Sequence, residues 1–183
     1  MATTSTTAIN DMLEGFGTTL EGQVSRYIER NFARMAEMAV EAETGNWKRV
    51  DAWIKPEVQA MWRETTRDCC DFIADRPYGS VGRYELNAAK VAKVASEAAT
   101  ATIKQWEAKL VAKLADLEGG EAVRTVGSMG FMIKGRKGDA HIGVEQTMIV
   151  NYSSKGKLFN QFPARIYVDG KFTSEAAYKR MFG

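Results

Sequence analysis

His141-Ile142-Gly143-Val144-Glu145-Gln146-Thr147-Met148-Ile149-Val150-Asn151-Tyr152 is the stretch that decides the fold class. It is rich in β-branched and aromatic residues, and its apolar positions follow the period of two that belongs to a pleated strand. Phe131 and Ile133 show the same spacing upstream. Three turn signals divide this part of the chain: Lys134-Gly135-Arg136-Lys137-Gly138, Ser153-Ser154-Lys155-Gly156 and Asp169-Gly170. Residues from Lys157 to Phe162 and from Ala164 to Val168 then form a third strand, with Pro163 marking an edge or a bulge. Thr173 or Ser174 is positioned to cap a last helix, Glu175 to Phe182.

Before Gly120 the period is helical. Ile9, Met12, Leu13, Phe16, Leu20, Val24, Tyr27, Ile28, Phe32, Met35 and Met38 recur at threes and fours, with Thr6 or Thr7 as N-cap and Gly45-Asn46 as the stop. Gly15, Gly17 and Gly22 each cost ~1 kcal/mol against Ala in a helix, so a kink or break is expected there. A short helical turn is read at 47–54. Pro56 then opens a helix that continues through Cys69, Phe72 and Ile73 until Arg76-Pro77-Tyr78-Gly79-Ser80. From about Arg83 to Leu117, a stripe of Val91, Val94, Ala95, Ala98, Thr102, Trp106, Leu110, Leu114 and Leu117 predicts a long helix, closed by Gly119-Gly120.

The fold class is therefore α+β: long N-terminal helices forming an antiparallel helical layer, then a three-stranded antiparallel β-meander and a short C-terminal helix. Residues 1–120 form the helical region and 121–183 the basic meander with its helix, expected as one unit. The order helix, three strands, helix is similar in topology to double-stranded RNA-binding domains. The lysine-rich helix start that such domains use is replaced here by Thr173-Ser174-Glu175-Ala176-Ala177.

Bulk properties narrow the function classes. The chain has 183 residues, 45% hydrophobic and 26% charged, which are ordinary globular values. No run approaches the ~18 apolar residues of a membrane span, and Met1 to Thr7 lacks the features of a signal peptide. The two cysteines, Cys69 and Cys70, are adjacent, which excludes a disulfide framework and predicts a cytoplasmic protein. Net charge is +2, but residues 1–120 carry 15 Lys+Arg against 18 Asp+Glu, whereas 121–183 carry 10 against 5. That asymmetry predicts an acidic partner for the C-terminal part.

No motif fixes a chemistry. The single histidine, His141, would have to serve any nucleophile-base pair, and no Gly-x-Ser-x-Gly elbow or phosphate loop is present. Asp139, His141 and Glu145 alternate onto one strand face and could hold a metal, although polar strand faces often carry such spacing. No cofactor and no metal are expected. The candidate binding residues are basic: Lys134, Arg136, Lys137, Lys155, Lys157, Arg165 and Lys171, with Lys179 and Arg180 nearby. Tyr152, Phe159, Phe162, Tyr167 and Phe172 are interleaved with them, and a meander lying on helices should bury most of these rings.

The reading is a non-catalytic binding protein that contacts a protein partner or self-assembles through this basic region. Four tryptophans and nine methionines supply side chains enriched at interfaces. Small chains of this kind are frequent among accessory, inhibitor and structural proteins of phages and mobile elements. Two alternatives stand beside it: a DNA- or RNA-binding protein contacting phosphates through a basic hairpin, and a metal-assisted enzyme using His141. No membrane partner is expected.

Overall fold

The computed structural model describes residues 3–43, 56–124, 130–150, 159–161 and 164–183. Its elements in chain order are α1 (Thr3–Glu43), α2 (Pro56–Cys69), β1 (Cys70–Ala74), β2 (Gly82–Leu86), α3 (Ala88–Ala115), β3 (Glu118–Arg124), β4 (Gly130–Lys137), β5 (Ala140–Val150), β6 (Phe159–Gln161), β7 (Arg165–Val168), β8 (Lys171–Thr173) and α4 (Glu175–Phe182). The class is α+β: a long N-terminal helix, antiparallel strands, and a short C-terminal helix. The turn read at 47–54 lies outside the described residues.

Two compact units make up the chain. The first gathers Met1–Thr19, Thr100–Ile149 and Phe159–Gly183, and the second Leu20–Ala99 and Val150–Leu158. In the first, the core joins Phe16 and Trp106, whose rings meet edge-on at 5.5 Å, to Phe131, which meets Trp106 at 5.9 Å. Ile9, Leu13, Leu110, Leu117, Ile133, Ile142, Val144 and Ile166 complete it.

The helix α1 is continuous through Gly15, Gly17 and Gly22 and begins at Thr3, ahead of the expected cap. Phe16, Leu20 and Val24 are wholly buried, and packing of that stripe outweighs the ~1 kcal/mol that each glycine costs.

The sheet is larger than a three-stranded meander. Six strands join in the order β3-β4-β5-β7-β8, with β6 pairing β5 off that path. Residues after the α3 terminus form β3 where a cap was expected. Gly119 does take a positive φ of 61°, but inside a strand whose register shifts between Glu118 and Glu121. Gly135 is likewise no turn residue. It lies mid-strand in β4, where a Cβ would stand 2.8 Å from the Leu117 Cβ. The β4–β5 turn shrinks to Gly138-Asp139 between the paired Lys137 and Ala140. The expected third strand is divided into β6 and β7, and Asp169-Gly170, with φ of 48° and 76°, turns β7 into β8. Positive φ at both central residues is the two-residue hairpin turn that Asp-Gly favours. Ser174 caps α4, its Oγ accepting from the Ala177 N–H at 3.2 Å. These added strands also remove the likeness in topology to double-stranded RNA-binding domains.

In the second unit the helix from Pro56 stops at Cys69, and Cys70–Ala74 is a strand paired with Gly82–Leu86. The spacing of Cys69, Phe72 and Ile73 fits either period over so short a run. Asn87 ends the ambiguity: its Oδ1 accepts from the Lys90 N–H at 3.1 Å and its carbonyl from the Val91 N–H at 2.9 Å, starting α3 at Ala88 and not at Arg83.

Candidate functional site

Strand alternation sorts the sheet's side chains. Phe131, Ile133, Ile142, Val144, Gln146 and Ile166 are buried and define the inner face. Their neighbours in the register define the outer one. A single row crosses five strands there: Glu121 on β3 pairs with Lys134 on β4, then Gly143 on β5, Tyr167 on β7 and Phe172 on β8. Next to it run Met132, Glu145 and Arg165 on one side and Glu118, Arg136 and His141 on the other, so Glu118, Glu121 and Glu145 share this face with the cations.

This face carries charge of both signs together with one exposed ring, Phe172. Lys134 and Arg136 are exposed, and among the described residues neither has a carboxylate oxygen within 4.0 Å. Arg165 lies 3.9 Å from the Glu145 Oε2 with 69% of its side chain exposed. Such a surface pair contributes at most about 1 kcal/mol, so an incoming anion can displace it. The same Glu145 oxygen accepts from the Tyr167 hydroxyl at 3.1 Å, and the Tyr167 ring meets Phe172 edge-on at 6.3 Å. Phe172 is 68% exposed, so the expectation that the sheet buries its aromatics fails at this ring. Its position opposite Tyr167 on the outer face of the edge strand explains why.

Between Lys134 and Tyr167 the row contains only Gly143. A hollow of about 370 Å³ opens there, lined by Met132, Lys134, His141, Gly143 and Tyr167 with the backbone of the flanking strands and turn. Its rim is braced: the His141 N–H donates to Asp169 Oδ1 at 2.9 Å, and the Asp169 N–H donates to the His141 carbonyl at 2.9 Å.

The remaining candidate basic residues separate. Lys137 pairs with Ala140 at the hairpin end, where its Nζ stands 3.2 Å from Asp116 and 5.8 Å from the Tyr178 ring centroid. Lys171 pairs with Val168 and so belongs to the opposite face from Phe172. Lys155 and Lys157 lie outside the described residues, as do Tyr152 and Phe162. Among the described residues the outer-face cations of this set are therefore Lys134, Arg136 and Arg165, and the first two stand on a strand and not on a hairpin tip.

Catalytic groupings fare differently. Among the described residues no three His, Cys, Asp or Glu side chains come together as a metal site, so Asp139, His141 and Glu145 do not form one. Cys69 and Cys70 are free and buried. Burial pushes the Cys69 thiol up to about 11 and raises Cys70 as well, leaving little thiolate near neutrality.

Gly143 and Met132 escape a reading based on residue type, because neither carries a functional group. The available signal was an isolated glycine inside a strand pattern, which marks a close approach or a gap. No described helix is long and apolar enough to cross a membrane. Comparison with protein-family models, curated proteins and solved structures finds no match.

Proposed function

We propose that this chain is a non-catalytic nucleic-acid-binding protein that uses the outer face of its sheet. The observation that carries this reading is the juxtaposition of Lys134, Arg136 and Arg165 with the half-buried Tyr167 and the exposed Phe172 on one sheet surface. Cations bind phosphates without regard to sequence, and aromatic faces stack bases. The excess of basic residues after position 120 acts in the same direction by steering a polyanion. A cytoplasmic setting belongs to this reading and is supported by the two free thiols.

The test is fluorescence anisotropy of a labelled oligonucleotide across a salt series. Three phosphate contacts on a single strand correspond to a slope of about −2 in log K against log salt, and replacing Lys134, Arg136 and Arg165 together by Ala removes it. Binding that ignores both salt and the triple substitution refutes the reading.

A protein partner, or a second copy of this chain, is the second reading, and a different surface favours it. The hairpin of β1 and β2 exposes Phe72, Ile73, Tyr78, Val81 and Tyr84, an apolar set that water does not favour. Phe72 and Tyr84 pair across its strands at 5.3 Å. Light scattering after size exclusion should report a multimer that Phe72→Ser with Tyr84→Ser dissolves. A monomer in both proteins removes self-association.

A further inference from the structure

We propose that the hollow over Gly143 receives one unpaired nucleobase, with its phosphate held by Lys134 and Arg136, so that the surface selects single strands over duplex. The inference rests on the nucleic-acid reading above and adds to it the form of the ligand and the residue that admits it.

Three observations carry it. The first is the row itself. Lys134 and Tyr167 stand on strands two spacings apart, roughly 9.5 Å, and Gly143 on the strand between them has no side chain, so the Tyr167 ring leans toward it and forms one wall of the hollow. That gap leaves room for one planar ring between the lysine stem and the tyrosine face. A Cβ on Gly143 would stand 3.7 Å from the Tyr167 Cβ and 4.0 Å from its ring Cδ2, so a branched side chain fits the backbone but meets the tyrosine ring and fills the hollow.

The second is that the stacking surface is fixed beforehand. The Tyr167 hydroxyl is tied to Glu145, and its ring is propped by Phe172. Little rotamer freedom remains to be lost when a base stacks on it. The third is concavity and size. A hollow of about 370 Å³ is near the lower end of small-ligand sites, which run from ~300 to ~1,000 Å³. A duplex keeps its bases inside its own stack and can touch only the rim, whereas a single strand can splay one base inward. His141, braced through Asp169, stands at the wall where a base edge would arrive.

An unpaired base with its phosphate is offered both by a strand and by a free nucleotide, and the experiment separates the two. Anisotropy and competition would compare a mixed-sequence single-stranded 12-mer, the blunt duplex of the same length, and adenosine monophosphate, using wild type, Gly143→Val and Tyr167→Leu. Wild type should bind the single strand at least ten-fold tighter than the duplex, with the mononucleotide far weaker than either. Gly143→Val should abolish that preference by weakening single-strand binding at least ten-fold. Tyr167→Leu, which keeps the strand apolar and serves should the glycine variant misfold, should weaken single-strand binding by roughly five- to a hundred-fold. Equal affinity for strand and duplex with no effect of either variant overturns the hollow and leaves the basic surface standing. A mononucleotide that binds as tightly as the strand overturns strand selection. No binding of any nucleic acid overturns the functional reading, and this inference with it.

Discussion

Trp106 shows how much of the first unit depends on single side chains. It is 1% exposed and is met edge-on by Phe16 and Phe131, so truncation removes both contacts and leaves a cavity. Trp106→Ala should cost about 3–5 kcal/mol in urea unfolding. Its indole Nε1 has no acceptor among the described residues, so Trp106→Phe, which deletes that N–H, should cost less than half as much. The Cys69 thiol supplies a chemical test at the same scale. With its pKa pushed up to about 11, alkylation by iodoacetamide at pH 8 should be slow in the native protein and rise steeply on unfolding. Fast native alkylation would contradict its burial. Trp106 was legible in the sequence because it sits on a long stripe of helical period. Phe172 was not, because alternation says that a residue faces one side of a sheet without saying which side helices cover.

At the scale of elements, the junction of hairpin and helix is built on three polar side chains. Asp71 lies 2.6 Å from the Lys90 Nζ and accepts from the Asn87 Nδ2 at 2.6 Å, while Lys90 also donates to the Cys70 carbonyl at 2.8 Å. The Lys90 ammonium first, and the Asn87 amide second, hold the Asp71 carboxyl below its usual range. A lowered carboxyl pKa stabilises the fold above its unfolded value of about 3.9, and that contribution is lost as pH falls through the lower folded value. Amide protection factors at Leu86 and Asn87, taken relative to the intrinsic exchange rate at each pH, should therefore fall below about pH 4 in the wild type, and Asp71→Asn should abolish that pH step. Asn87→Ala, which removes the helix cap, should cost about 1 kcal/mol. This junction was the least legible part of the chain. Cys69, Phe72 and Ile73 satisfy the helical spacing, and only pairing with a strand distant in sequence turns 70–74 into β-structure. The Asp-Gly turn at 169–170 was legible because its chemistry is local, whereas the bulge around Gly119 and the strand after it depend on β4 lying alongside.

For the whole molecule the governing fact is how charge is divided. The 121–183 part carries 10 basic against 5 acidic residues, and the register collects Lys134, Arg136 and Arg165 on the outer sheet face beside Tyr167 and Phe172, with Glu118, Glu121 and Glu145 interleaved among them. Composition announced the basic region. The face could not be read, since it needs strand order and register, and both arise from pairings between residues far apart in sequence. The most direct test of the account is a chemical-shift titration of the isotope-labelled protein with a single-stranded oligonucleotide. Amide shifts that move at Lys134, Arg136, Gly143, Arg165 and Tyr167, and remain still at the Phe72–Tyr84 hairpin, are what the account predicts. Shifts confined to that hairpin, or none at all, would contradict it.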